Sequence, residues 1–281
     1  MEYPLRFTSR VRLSCISSQP FTAIRTPRFT PGTRRTMASI EQKIKTLQDY
    51  CACDVSDALL KIQKLPEGAT PRAGHLADFT PFSPTLGRNT TSPKIIAPAS
   101  TFKFIPKTTT SFPHEVGRLL SSPEHSFPSG THWVDHAEPN TIAIIDQPPH
   151  QNCAVLGGIM AVRMKYLGVK GAVVNGRVRD LSEITGCALP VWAQGTSTVG
   201  SGAEAKPGLR NVPVDVGGVT VKPGDIIFCD PLEGVVAIPS ELLDQVLEVM
   251  PKLVAMDDNV KEAVLQGETV NDAFKKFRTK L

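Results

Sequence analysis

The stretch that most constrains this chain is GGIMAVRMKYLGVKGAVVNGRVRD, residues 157–180. Leu156, Ile159, Met160, Met164 and Leu167 recur at helical spacing, which predicts a helix from about Ala154 or Gly157 to Leu167, with Gly168 as its stop. Ala172, Val173 and Val174 then form a core strand, Gly176 breaks it, and Arg179-Asp180 stands at its exit. Just upstream, Thr141 to Asp146 (TIAIID) is β-branched and apolar, as expected of a strand buried on both faces.

This pattern has chemical content. The N-terminus of a helix presents backbone N–H groups without intrahelical partners, and Gly157-Gly158 would let a carboxylate approach them closely, although paired glycines also serve simply for close packing. Strand exits commonly carry ligands. There Arg179 is suited to bidentate carboxylate binding and Asp180 is a hard oxygen ligand for Mg²⁺ or Mn²⁺; a surface ion pair is the plain alternative. Adjacent strand residues face opposite ways, so both side chains can address one ligand only if the pair sits in a loop.

The flanks are read in order. Ser39 with Gln42 predicts a capped first helix, and Asp54 a second cap before Val55, Ala58, Leu59 and Ile62. Residues 66–93 read as a long surface connection, Lys94 to Phe104 as a strand, and residues 105–128 as loop with one helical stripe near Val116 to Leu120. His132 and His136 have i, i+4 spacing but no third ligand is signalled, so hydrogen-bonded histidines are expected rather than a zinc site. Beyond Asp180, a short strand at Pro190 to Ala193 precedes a Gly/Ser/Thr-rich flexible loop through Gly208. Short strands follow at Val212 to Val216, Val219 to Val221, Asp225 to Cys229 and Val235 to Ile238. Ser240 is expected to cap a helix that Pro251 kinks or ends, and Thr269 with Asp272 to cap a final one.

Charge is unevenly placed. Residues 1–36 carry seven arginines against Glu2 alone, and the remainder holds 24 basic and 26 acidic residues, so a net +4 hides a body at −2. Such a body is no phosphate-backbone binder, and no apolar run is long enough for a membrane span. Residues 1–36 read as a disordered leader with the composition of a mitochondrial transit peptide, while Met37 would open a shorter cytosolic form; the expected location is the mitochondrial matrix or the cytoplasm. Residues 37–281 then form a single catalytic domain with C-terminal helices. The six cysteines make no disulfide or zinc-knuckle framework, which suits a reducing compartment.

Gly157-Gly158, Ala161, Gly168, Gly171, Val173, Gly176 and Arg179-Asp180, together with IIAPASTF and residues 217–239 (GGVTVKPGDIIFCDPLEGVVAIP), resemble the RraA-like family, which includes class II 4-hydroxy-4-methyl-2-oxoglutarate aldolases and oxaloacetate decarboxylases. The resemblance covers about residues 40–250, with loops at 78–93 and 106–131 longer than the family minimum. It implies an α/β fold, an α/β/β/α sandwich of swivelling-domain type with flanking N- and C-terminal helices, assembled as a homotrimer or hexamer. By position, Gly157, Gly158, Ile159, Met160 and Arg179 would bind a small 2-oxo acid, Asp180 would hold Mg²⁺ or Mn²⁺, and Arg179 and Asp180 would be catalytic. Glu183 and Glu233 are candidate proton donors. Nucleic-acid and membrane partners are not expected; a non-catalytic regulatory protein of the same family is the alternative. One departure stands out: Asn175-Gly176 replaces the Asp-Gly of many members.

Overall fold

A computed structural model of the chain describes residues 40–278. The Arg-rich leader and the Ser39 cap lie outside the described residues. In chain order the elements are α1 (40–47), α2 (Ala52–Ile62), β1 (His75–Leu76), β2 (Thr80–Ser83), β3 (Ile95–Pro106), α3 (His114–Leu120), β4 (Ile142–Asp146), α4 (Gly158–Tyr166), β5 (Gly171–Val178), α5 (Leu181–Gly186), β6 (Val191–Thr196), β7 (Ala205–Arg210), β8 (Val214–Val216), β9 (Val219–Val221), β10 (Ile226–Asp230), β11 (Gly234–Ile238), α6 (Leu243–Leu265) and α7 (Val270–Phe277). Among them no helix is long and apolar enough to cross a membrane.

The strands follow the order β1-β11-β10-β3-β4-β5-β6-β2, with β7 added on β3. Strand β3 belongs to two sheets: Ile95 to Pro98 pair antiparallel with β10, whereas Ala99 to Lys103 pair parallel with β4. Strands β4, β5 and β6 continue the parallel run. Alternation along the strands then builds the layers. Ile142, Ile144, Val173 and Trp192 face Ile227, Cys229, Val235 and Ala237 between the sheets, and the β8–β9 hairpin adds Val214, Val216 and Val221 there. Their neighbours Ala143, Ile145, Ala172 and Val174 point outward to Ala161 and Met164 of α4 and Ile184 of α5. On the other side Ile226, Phe228, Val236 and Ile238 pack on Leu47, Val55, Leu59, Val246 and Met250 from α1, α2 and α6. This is the expected α/β/β/α sandwich.

Several local expectations are corrected. Residues 66–93 are not all connection, because β1 pairs with β11 and β2 with β6; both strands are too short to show a period of their own. The stretch through Gly208 contains a 3₁₀ turn, Ser201–Ala203, and β7, whose AKPGLR sequence alternates poorly yet finds its hydrogen bonds on Phe102 to Pro106 of β3. Helix α2 is capped at Cys51, and Asp54 acts from the third helical position by accepting from the Cys51 N–H at 2.8 Å. Ser240 opens a 3₁₀ turn and does not cap α6, while Pro251 lies inside that helix without ending it. The apolar face that α6 buries through Leu243, Val246 and Met250 offsets the hydrogen bond a proline removes. Thr269 does cap α7, accepting from the Asp272 N–H at 3.2 Å.

Candidate active site

The glycine pair and the Arg-Asp pair are brought together by a short run beside the end of β5. Val155 N–H donates to the Arg177 carbonyl at 3.0 Å, and Arg179 N–H donates to the Leu156 carbonyl at 3.0 Å. Helix α4 therefore starts, with Gly157 as its N-cap, against the exit of β5. Strand β5 does not break at Gly176. It runs on with an irregularity between Val174 and Arg177, where Gly176 adopts φ +153° and the Gln147 side chain fills the space a Cβ would need. Buried Gln147 holds this bulge by accepting from the Arg177 N–H at 2.9 Å and donating to the Cys153 carbonyl at 2.8 Å.

Strand β5 ends at Val178, so Arg179-Asp180 lies in the loop that a shared ligand requires. Asp180 is left-handed, φ 58° and ψ 46°, a conformation aspartate tolerates better than most residues, and it caps α5 as its carbonyl accepts from the N–H groups of Glu183 and Ile184, each at 3.0 Å. That turn swings its carboxylate back onto α4. Asp180 Oδ2 accepts from the Gly158 N–H at 3.2 Å and lies 3.3 Å from Arg179 Nε. The predicted cradle is thus altered: one free N–H of the first turn is taken by Asp180, and those of Ile159 and Met160 stay open to a ligand. A Cβ on Gly157 would sit 2.8 Å from Asp180 Oδ2, and one on Gly158 would meet the Glu183 carboxylate and lie 2.5 Å from Glu183 Cβ. Both glycines are there for close approach.

Arg179 and Asp180 stand between two openings. On one side is an open cavity of about 600 Å³ lined by Asn152, Arg177, Arg179, Asp180 and Thr196 to Thr198. On the other, a recess of about 150 Å³ is lined by His132, Gly157, Ile159, Met160, Arg179 and Gly200. The predicted residues therefore converge, with Gly158 beneath them. Glu183 abuts Gly158, but Glu233 is held elsewhere, accepting from Cys53 Sγ at 3.6 Å beside α2. His132 and His136 sit on a 3₁₀ turn, not an α-helical face; His136 Nε2 is 3.0 Å from Thr131 Oγ1, and His132 Nδ1 accepts from the Val134 N–H at 3.4 Å.

Arg177 and Asn152 were missed from the sequence, and His132, singled out there only by its spacing to His136, was expected to be a hydrogen-bonded histidine and not a wall residue. Period-two spacing from Arg179 would have pointed to Arg177, whereas nothing local marks Asn152. Asn152 is held in place by Glu204, whose Oε2 accepts from the N–H groups of Cys153 and Asn152 at 2.7 Å each; those two bonds hold the Glu204 carboxyl below the usual range.

Among the described residues no three His, Cys, Asp or Glu side chains gather as a metal cage. A magnesium-type ion that keeps its waters needs only one or two protein carboxylates, and Asp180 fits that role, because its two contacts both fall on Oδ2 while Oδ1 is left on a half-exposed side chain.

The family model described as RraA-like, Aldolase/RraA, matches residues 52–237. The chain belongs to the RraA-like family. Among curated relatives, protein DlpA of Legionella pneumophila is 24% identical over 94% of this chain and 37% of its own length. A Halalkalibacterium halodurans protein with the provisional name 4-hydroxy-4-methyl-2-oxoglutarate aldolase is 33% identical over 48% of this chain and 62% of its own length. The chain thus spans less than two thirds of these relatives. Among solved structures, a Pseudomonas syringae protein superposes with a TM-score of 0.61 at 19% identity, covering 83% of this chain and 96% of that one. Streptomyces coelicolor RraAS2, described as an unusual member of the RNase ES inhibitor RraA family, gives 0.57 at 20% identity, covering 77% and 95%. These likenesses establish the RraA-like fold.

Proposed function

We propose that this protein is a divalent-metal-dependent class II aldolase that cleaves a 4-hydroxy-2-oxo diacid of the 4-hydroxy-4-methyl-2-oxoglutarate type to pyruvate, and decarboxylates oxaloacetate through the same pyruvate enolate. The observation that carries this reading is the meeting of Arg179, Asp180 and the open first turn of α4 at one cavity wall.

Arg179 would grip the 2-oxo carboxylate with charge-assisted hydrogen bonds, each contributing about 1.5–3 kcal/mol, and the N–H groups of Ile159 and Met160 would orient it further. Asp180 would hold Mg²⁺ or Mn²⁺ through Oδ1. When bound, that ion supplies Lewis-acid stabilisation of the developing enolate, the larger share of the acceleration. Arg179, fixed beside Asp180, adds positive charge that needs no reorganisation as the C3–C4 bond breaks. In retro-aldol cleavage the C4 hydroxyl loses its proton, the C3–C4 bonding pair passes to the enolate, and C3 takes up a proton; in decarboxylation of oxaloacetate the same bond breaks with C4 leaving as CO₂. Glu183, against Gly158, and His132 are the ionisable side chains at hand for that proton. A Schiff-base lysine is not called for, and Lys165 is turned away, donating to the Ala188 carbonyl at 3.0 Å.

A coupled pyruvate assay with oxaloacetate and 4-hydroxy-4-methyl-2-oxoglutarate, with and without metal, tests the reading. Pyruvate release is expected to need Mg²⁺ or Mn²⁺; activity that survives EDTA, or borohydride trapping on a lysine, overturns it. Assembly as a homotrimer or hexamer and targeting by the Arg-rich leader belong to the same proposal and are checked by light scattering and cell fractionation.

A second reading, a non-catalytic binding protein, draws on the exposed apolar side chains Ile159, Val162 and Tyr166 along α4, which another protein surface would cover. It is favoured if the metal-loaded protein is silent on a panel of 2-oxo acids.

A further inference from the structure

Two arginines open on the cavity beside Asp180, and the proposed chemistry uses only one. Arg177 in β5 and Arg179 just past its end are two residues apart, about 6–7 Å in extended backbone, and both side chains line this cavity. Each guanidinium lies over a glycine of the facing segment: a Cβ on Gly195 would sit 3.0 Å from Arg177 Nη1, and one on Gly200 would sit 2.8 Å from Arg179 Nη1. Bare Cα atoms at 195 and 200 thus make room for both forks.

Their partners differ. Arg179 is paired with Asp180, but among the described residues Arg177 forms no ion pair, and its Nη1 donates only to the Thr196 carbonyl at 3.0 Å. A guanidinium has five donors, so most of the Arg177 fork is left facing the cavity. Arg177 also lines the adjoining cavity of about 810 Å³ and stands where the two openings meet. Beside the Arg179-Asp180 pair there is thus a half-buried guanidinium that forms no ion pair among the described residues and faces the cavity.

We propose that Arg177 binds the distal carboxylate of a dicarboxylic substrate while Arg179 holds the 2-oxo carboxylate, so that Arg177 sets the preference for diacids over monoacids. The inference rests on the aldolase and decarboxylase reading for its substrate and on the Arg177 geometry for its residue. The carboxyl carbons of a five-carbon diacid are separated by a distance comparable to the step between the two arginines.

The test compares metal-loaded wild-type protein with Arg177→Gln and Arg177→Lys on 4-hydroxy-4-methyl-2-oxoglutarate, a diacid, and 4-hydroxy-2-oxopentanoate, its monoacid counterpart. The ratio of kcat/KM for diacid over monoacid is expected to fall about tenfold or more in Arg177→Gln, chiefly through KM, and to recover in part in Arg177→Lys. Calorimetric binding of 2-oxoglutarate against pyruvate supplies a readout that needs no turnover, and melting curves report whether each variant is folded. An unchanged ratio together with unchanged relative affinity for the two ligands overturns the inference. If wild-type protein turns over neither substrate yet binds 2-oxoglutarate through Arg177, the proposed reaction falls and the carboxylate site stands.

Discussion

The side-chain amide of Asn175 donates to Asp146 Oδ1 at 2.9 Å, joining β5 to the end of β4, and reaches the Asp215 carbonyl at 3.3 Å. Burial pushes the Asp146 carboxyl up, and the Asn175 hydrogen bond opposes that push. The aspartate that many relatives resembling this chain carry at the Asn175 position would set two carboxylates against each other here. Asn175 is therefore matched to Asp146, and not to the metal or the 2-oxo group.

A pH dependence follows from that pair. With its folded value raised above the ordinary 3.8, Asp146 contributes stability that is present below 3.8 and is lost as pH rises through the raised value. Asp146→Asn removes the titration, so its Tm is expected to exceed that of wild type by about 2–4 °C at pH 8, with the gap closing towards pH 3.5. Asn175→Asp is expected to lower Tm at pH 8. Melting curves at the two pH values decide it; a gap for Asp146→Asn that is the same at both counts against the account.

Asp180 carries both a backbone role and a charge role, and one substitution separates them. Asparagine tolerates the left-handed conformation, so Asp180→Asn is expected to melt within a few degrees of wild type while pyruvate formation falls by about a hundredfold or more. Near wild-type turnover in that variant would remove Asp180 from the chemistry.

Gly158→Ala drives a Cβ into Glu183 at its stem as well as its carboxylate, where rotation of a flexible end gives no relief. The start of α4 or α5 must move, at a cost of about 1–3 kcal/mol, and the Gly158 to Asp180 hydrogen bond moves with it. Denaturant unfolding should show the loss, and Gly158→Ala/Glu183→Gly, which removes the stem carbon as well, should restore most of it relative to the Glu183→Gly single variant. Equal destabilisation in single and double variants would point to a different clash.

Glu183, which abuts Gly158 and whose N–H donates to the Asp180 carbonyl at 3.0 Å, is proposed as the proton donor to C3, with His132 on the recess wall as the competing candidate. Glu183→Gln is expected to lower kcat by about a hundredfold with little change in KM. A larger loss in His132→Asn, measured on the same substrates, would transfer the role to His132.

Segments whose signal is local could be read from the chain alone. Helix α4 with its Gly168 stop, the apolar strands β4 and β5, the Thr269 cap and the Arg179-Asp180 turn all show in hydrophobic period, in glycine placement or in a resemblance carried by residues close in the chain. Tertiary structure decided the rest, because the deciding partners are distant in sequence. Strands β1, β2 and β7 exist through edges that other strands offer, and Pro251 is carried through α6 by a buried face. Glu233, a plausible acid on paper, is drawn off to Cys53. His132 and Asn152 reach the cavity on loops without a period. Arg177 and Asn175 were visible letters next to the motif, but only the glycine at 195 and the carboxylate at 146, placed by strand pairing, show what each of them faces.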